Sequence, residues 1–318
     1  MRIVILDGYT VNPGDLDWKE IEALGDLTVY DRSHTEDVFE RAKDADIIVS
    51  SKIVFDKKLL DRLSKLKYIG VIATGYNVVD TIYAKEKHII VTNVPKYCNE
   101  SVAQMTFALI FELSRRVGHH YRVCFEGKWA RQEDFCFWDY PQIELNNMTL
   151  GLIGCGNIGR EVAKIADAIG MKVIAYDKHV IHESTPKVKF CELDEVLKES
   201  DIISLHCPLT SETKEMINKK NISKMKKSAF LINTSRGPLI KEEDLAIALN
   251  DGRLGGAGLD VLQLEPPKED NPLLKAKNCI ITPHIAWSAF EARKRLIKMT
   301  ADNIKAFLNH KPINVVNL

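Results

Sequence analysis

The stretch from Thr149 to Asp177, TLGLIGCGNIGREVAKIADAIGMKVIAYD, constrains the fold of this chain more than any other. An apolar run over 150–153 leads into Gly154, Gly156 and Gly159, set at G-x-G-x-x-G spacing. Ile158, Val162, Ile165 and Ile169 then recur at steps of four and three, the period of a helix packed by one face. Gly170 ends that helix, and a second β-rich run over 172–176 closes on Asp177. Strand, glycine turn, helix, strand and acid make one βαβ unit. Two glycines let the backbone approach a pyrophosphate, and the third lets helix and strand pack closely. The helix N-terminus offers unpaired N–H groups to the phosphates, and a carboxylate at Asp177 suits the ribose hydroxyls. A lone glycine pattern is compatible with an ordinary tight turn, but this one sits in its full context. The stretch implies a dinucleotide site. A carboxylate at 177 repels a 2′-phosphate, which points to NAD, while Lys178 and His179 beside it soften that repulsion and leave NADP open.

At 318 residues the chain is long enough for about two domains. Lys plus Arg and Asp plus Glu are both 44, so no net field argues for nucleic acid or an anionic membrane. No apolar run approaches the roughly 20 residues that span a bilayer. The N-terminus enters a strand at once, so no signal peptide is expected and the cytoplasm is the expected compartment. The seven cysteines are odd in number and lack any C-x-x-C pair, which suits reduced, mostly buried thiols and no metal site.

The first hundred residues alternate strand-like runs (2–6, 27–30, 46–50, 68–73, 88–93) with helical stretches near 17–24, 35–43, 56–66 and 79–87. Such alternation implies a parallel sheet covered on both faces. The turn from Ala73 to Asn77 follows a strand; its N–H groups suit either an anion-binding nest or a plain strand-to-helix connection. Lys52 sits at a similar strand end, where by itself it reads as a solvated lysine. Asn99 or Ser101 is positioned to cap a long helix to about Arg116, expected to join the two domains. An irregular segment over 119–147 then gathers Trp129, Phe135, Phe137, Trp138 and Tyr140. Aromatic groups in that number suggest a homodimer contact, with packing on the chain's own domain as the alternative. Beyond the central unit the alternation resumes, with strands at 201–206, 229–233, 256–261 and 279–282, helices near 193–199 and 241–250, and a closing helix over 288–308.

Residues able to do chemistry lie just after the strands of the second half, the edge where open parallel sheets bind ligands. His206 to Thr210 ends one strand, Thr234 to Gly237 the next, Asp260 a third with Glu265 shortly after, and Thr282 to His284 the last. Hydride transfer between an alcohol and a nicotinamide needs a group to exchange the hydroxyl proton, and histidine titrates in the right range. A carboxylate on the imidazole's other nitrogen fixes its tautomer and stabilises imidazolium. An arginine can clamp a substrate carboxylate with two hydrogen bonds. Arg236, Glu265 and His284 supply that set. Taken singly, each is as readily a surface ion pair, a loop acid or a capped histidine.

The motifs ATGYNVVD (73–80), SVAQMTFALIFEL (101–113), GLIGCGNIGR (151–160), HCPLT (206–210), NTSRGPLI (233–240), GAGLDV (256–261), EPP (265–267) and TPHIAW (282–287) resemble the D-isomer-specific 2-hydroxyacid dehydrogenases, along essentially the whole chain. The resemblance implies an α/β fold of two doubly wound parallel-sheet domains. A discontinuous, smaller, flavodoxin-like substrate domain would span 1–98 plus 288–318, a Rossmann NAD-binding domain 99–287, and the active site would lie in the cleft. It implies Arg236 as the substrate-binding arginine, Glu265 as the acid paired with histidine, and His284 as proton donor and acceptor. Thr74 and Gly75 would meet the substrate carboxylate through backbone N–H groups. Asn157, Ile158, Asp177, His206, Pro208, Thr213, Thr234 and Asp260 would contact the cofactor beside Gly154, Gly156 and Gly159. DFCFWD (134–139), SKI (51–53) and HIAW look most like the glycerate dehydrogenase, or hydroxypyruvate reductase, branch. The implied reaction interconverts D-glycerate and hydroxypyruvate, with Lys52 and Ile53 lining a small pocket and Trp138 near the partner subunit's site. Gln104 and Ser235 stand where many relatives have glutamate or alanine, which touches the branch rather than the chemistry. Phosphoglycerate, lactate and glyoxylate types, and branched 2-keto acid reductases, remain alternatives within the family. With Leu318 as its last residue, the sequence leads to the expectation that the regulatory domains many phosphoglycerate enzymes carry are absent. A reading of another class is an NAD-responsive scaffold that binds transcription factors and turns over slowly.

Overall fold

The computed structural model describes residues 1–178 and 187–318. His179, the second basic neighbour of Asp177, lies outside the described residues. The chain divides into two compact units, Met1–Cys98 with Ser288–Leu318, and Asn99–Trp287.

In the first unit the order is β1 (Arg2–Ile5), α1 (Lys19–Glu22), β2 (Asp26–Val29), α2 (Thr35–Ala42), β3 (Ile47–Ser50), α3 (Lys57–Arg62), β4 (Tyr68–Val71), α4 (Thr81–Glu86) and β5 (Ile90–Thr92). Its sheet runs β2-β1-β3-β4-β5, all parallel. That is the flavodoxin-like order, with its topological switch point between β1 and β3. β3 and β4 are buried along their whole length, as strands covered on both faces must be. The strand expected over 88–93 starts two residues later, because His88 takes a left-handed φ of 58° as the chain turns out of α4.

The second unit holds α5 (Asn99–Arg115), α6 (Val117–Phe125), β6 (Thr149–Ile153), α7 (Asn157–Ala168), β7 (Lys172–Tyr176), β8 (Val188–Phe190), α8 (Leu193–Glu199), β9 (Ile202–Leu205), α9 (Lys219–Ile222), β10 (Phe230–Asn233), α10 (Glu242–Asn250), β11 (Gly256–Leu259) and β12 (Cys279–Ile281). Among the described residues its parallel sheet runs β12-β11-β10-β9-β6-β7-β8. This is the Rossmann order, which reverses direction between β6 and β9. α5 packs across α7, β10 and β11 and belongs wholly to this unit. Asn99 is its first helical residue, so neither expected cap stands outside it; the Ser101 hydroxyl donates instead to the Ala286 carbonyl at 2.6 Å. The returning α11 (Phe290–Leu308) lies in the first unit, where Phe307 packs on Tyr68 with ring centroids 4.8 Å apart.

The segment expected to be irregular opens with α6. Val117, Tyr121 and Phe125 recur every four residues, a helical step that the surrounding aromatics disguise. Arg116, at φ 52°, breaks α5 from α6. The chain beyond α6 folds back on that helix around Asp139, whose carboxylate takes Lys128 Nζ and His119 Nε2 and whose N–H meets His120 Nε2. No helix among the described residues is long and apolar enough to cross a membrane, and none of the seven cysteines is in a disulfide.

Candidate active site

Each glycine of the β6–α7 turn has its own reason. Gly154 takes φ +93°, and a methyl group there would lie 2.6 Å from the His206 carbonyl, so two loops at the switch point touch backbone to backbone. A methyl on Gly159 would lie 2.5 Å from the Gly154 carbonyl. A methyl on Gly156 would meet no atom within 4 Å. Packing thus explains the first and third glycines, whereas the second fronts open space at the N-terminus of a twelve-residue helix. That open cradle fits a pyrophosphate. Asn157 is exposed at the first position of α7, and Ile158 rests against the core. Asp177, just past β7, accepts the Cys155 N–H at 2.6 Å, which ties the acid to the glycine turn. Lys178 pairs with Glu212, joining this strand end to the loop after β9.

In that loop the Thr213 hydroxyl accepts the Thr210 N–H at 2.8 Å and donates to the Pro208 carbonyl at 2.7 Å, holding Pro208 exposed. His206 points inward: Nε2 meets Ser204 Oγ at 2.8 Å, and Nδ1 is buried with no partner among the described residues. Burial pulls its pKa down to about 3, so the ring is neutral.

Three neighbouring strand ends carry the reactive set. After β10, Asn233 braces its own turn: Nδ2 donates to the Arg236 carbonyl at 2.9 Å and Oδ1 accepts the Ser235 N–H at 3.0 Å. Arg236 leaves this brace exposed. Thr234 is buried, its hydroxyl 3.1 Å from that of Thr106. After β11, Asp260 is 1% exposed and accepts Thr282 Oγ1 (2.6 Å), the Ile285 N–H (2.9 Å) and the Ala286 N–H (2.8 Å). The side chains of Thr234 and Asp260, expected at the cofactor, are committed to protein partners. What Asp260 holds is the turn after β12, where His284 sits at φ +54° with its N–H on the Asp260 carbonyl at 2.8 Å. Within that turn, His284 Nδ1 lies 2.6 Å from Glu265 Oε2. Glu265 Oε1 in turn accepts the Leu262 N–H at 3.0 Å. Burial pushes the Glu265 carboxyl up, but the hydrogen bond and charge of His284, with the Leu262 amide and the Arg236 charge, hold it below the usual carboxylate range. The structure therefore brings Glu265 and His284 into contact, with the charge of Arg236 felt at Glu265.

Lys52, Thr74 and Gly75 lie on the first unit, past the ends of β3 and β4. Lys52 is exposed. The Thr74 hydroxyl donates to the Val94 carbonyl at 3.0 Å and the Asn93 side chain donates to the Thr74 carbonyl at 2.7 Å, which fixes that turn. No metal-binding group of His, Cys, Asp and Glu occurs among the described residues.

Residues 107–286 match the family described as D-isomer specific 2-hydroxyacid dehydrogenase, NAD binding domain. The chain is 52% identical to a hydroxypyruvate reductase of Blautia hydrogenotrophica over the full length of both. It is 39% identical to a glycerate dehydrogenase of Methylorubrum extorquens, covering 99% of this chain and 98% of that one. Its fold matches the D-lactate dehydrogenase of Lactobacillus jensenii, solved with NAD+, at a TM-score of 0.83 and 32% identity over 99% of each chain. A parallel-sheet α/β architecture with a dinucleotide turn and a histidine–carboxylate pair defines an NAD-dependent oxidoreductase. The chain belongs to the D-isomer specific 2-hydroxyacid dehydrogenase family.

One anchoring residue escapes sequence reasoning: Asp7 belongs to no motif, and its partners, Ser50, Ser51 and Lys52, lie 43 to 45 residues away, brought to it by the pairing of β1 with β3.

Proposed function

We propose that this enzyme reduces hydroxypyruvate to D-glycerate with NADH and catalyses the reverse oxidation. The observation that carries the chemistry is the 2.6 Å contact between His284 Nδ1 and Glu265 Oε2. It directs Nε2 outward as the nitrogen that exchanges a proton with substrate. The carboxylate fixes the tautomer of the ring, and in reduction the imidazolium protonates the carbonyl oxygen. Arg236 orients the substrate carboxylate by a two-pronged hydrogen bond. The open face of Gly156 and the Asp177 carboxylate would hold the dinucleotide, which when bound would supply or accept the hydride. The 2-keto acid choice is supported by relatives named for hydroxypyruvate and glycerate.

Lys52, Thr74 and Gly75 are the residues of the first unit that would receive the substrate carboxylate, which makes that unit the substrate domain. Among the described residues, the N–H groups of Thr74 and Gly75 have no acceptor and the Lys52 ammonium has no partner, as an anion-binding edge requires.

The enzyme acts as a homodimer through the 119–147 segment. A groove of about 550 Å³ lined by Val117, Tyr121, Trp129, Phe137 and Trp138, with Phe125 82% and Phe135 88% exposed beside it, is the apolar surface expected of such a contact. Seven cysteines outside any disulfide suit the cytoplasm.

The deciding experiment follows NADH oxidation with hydroxypyruvate, glyoxylate, pyruvate and phosphohydroxypyruvate in turn, with NADPH in parallel. The highest kcat/KM is expected for hydroxypyruvate with NADH. Preference for another acid moves the substrate and keeps the family chemistry. Tyr121→Asp is expected to give a monomer by light scattering, and Trp138→Ala to alter kinetics in the dimer.

A further inference from the structure

We propose that Asp7 is a positioning residue that sets the substrate-recognition turn of the first unit, a role that rests on placing the 2-keto acid at the Lys52 edge. Asp7 follows β1 and is 0% exposed. Its carboxylate gathers the chain just past β3. Oδ2 accepts Ser50 Oγ (3.0 Å), the Ser51 N–H (3.0 Å), Ser51 Oγ (3.1 Å) and the Lys52 N–H (2.9 Å). Oδ1 shares the Ser51 N–H at 3.1 Å. Ser50 Oγ in turn accepts the Ile53 N–H at 3.1 Å, so four consecutive residues are tied to one buried acid.

A buried carboxylate is costly unless its oxygens are saturated with donors or matched by a cation. Among the described residues no lysine, arginine or histidine pairs with Asp7. Its donors come instead from one turn, so folding of the unit fixes the path of that turn. The location adds to the argument. β1 and β3 are neighbours in register (Val4 beside Ile48, Ile5 beside Val49), and the crevice past their carboxyl ends is the switch point of this sheet. Ligands of doubly wound sheets bind at that crevice. The turn that Asp7 holds carries the exposed Lys52 at that end of the sheet. The Thr74 and Gly75 N–H groups stand past β4, the strand paired with β3.

The sign of the effect separates positioning from charge. Asp7→Asn removes a negative charge from the neighbourhood of an anionic substrate, which by Coulomb attraction alone would lower KM. It also turns an amide NH2 toward N–H donors that need an acceptor. If Asp7 acts by placing Lys52, KM for hydroxypyruvate rises instead, by about tenfold, the scale of one lost charge-assisted hydrogen bond. The KM for NADH would stay near wild type, while the donors left facing an amide NH2 lower the melting temperature by a few degrees.

The test measures steady-state kinetics of the full-length enzyme with hydroxypyruvate and NADH for Asp7→Asn, Lys52→Met and the double variant. The expected result is a raised keto-acid KM in each single variant, and a double variant no worse than Lys52→Met alone, because Asp7 works through Lys52. An Asp7→Asn enzyme with unchanged or lower KM, while Lys52→Met is impaired, overturns the proposal alone. A parallel rise in the KM for NADH, or additive effects in the double variant, also overturns it, since the loss is then general. Unaltered KM in Lys52→Met overturns the placement of substrate on this edge. Turnover of none of the four keto acids by the wild-type enzyme is instead a failure of the function itself. If Asp7→Asn does not fold, Ser51→Ala, which removes one donor and keeps the backbone amide, is expected to raise the same KM a few-fold and no other constant; an unchanged KM there overturns the proposal.

Discussion

Glu265 touches His284 through one carboxylate oxygen and the backbone of Leu262 through the other, so the acid that orients the imidazole is itself fixed to its loop. The carboxyl is held below the usual range, and it is charged wherever the enzyme is assayed near neutrality. A depressed carboxyl contributes stability above its unfolded value and loses it as pH falls through its folded value. Glu265→Gln keeps the shape and removes the charge. Reductive kcat/KM is expected to fall by about 10² and the alkaline limb of its pH profile to move to lower pH. His284→Ala is expected to lose roughly 10² to 10⁴ in kcat with NADH affinity retained. An unshifted profile in Glu265→Gln would remove the carboxylate from proton transfer.

Asp260 is expected to matter for the same reaction without touching the reacting atoms. Its carboxylate serves three donors of the turn that bears His284. Asp260→Asn leaves at least one donor facing an amide NH2, at a cost of about 1–3 kcal/mol. Lower kcat together with a lower denaturation midpoint in urea is the expected outcome. A fall in NADH affinity with full stability would instead favour direct cofactor contact.

The glycine turn predicts opposite outcomes at two positions. Gly159→Ala forces a methyl to 2.5 Å from a carbonyl and is expected to lose at least about 2 kcal/mol of stability. Gly156→Ala meets nothing in the protein, so stability is expected to change by less than about 1 kcal/mol while NADH binds about tenfold more weakly. Fluorescence titration with NADH alongside thermal melts separates the two.

The neutral, buried imidazole of His206 gives a pH signature. Its folded pKa of about 3 lies below the unfolded value of 6.5, so the unfolded chain binds the extra proton. Stability is therefore complete above pH 6.5 and declines as pH falls toward 3, by on the order of 2 kcal/mol at pH 5. His206→Gln is expected to flatten that decline in urea melts compared at pH 7 and pH 5.

The alternation of strands and helices, the glycine turn and the reactive residues at strand ends were legible because each is written in local pattern. The full-length motifs identified the family. Short elements were not legible: β8 and α9 have three and four residues, too few to show a period. α6 was hidden because its apolar face is exposed rather than buried, so it read as aromatic loop. The inward turns of Asp260 and Thr234 were invisible for another reason. Their partners, Ile285 and Thr106, lie 25 and 128 residues away in sequence. Sequence placed those residues at the right strand ends and could not say which way the side chains face.

The return of α11 to the first unit orders events during synthesis. Tyr68 needs Phe307 against its ring, the Val91 N–H needs the Asn317 side chain, and Thr92 bridges to Val315. A nascent chain of the first hundred residues therefore leaves the ribosome with the β5 edge of its sheet bare. At about 5–20 residues per second, that edge waits on the order of ten to forty seconds for its cover. The Rossmann unit, second in sequence, is complete first, and the half-finished sheet is the species for which a chaperone would compete.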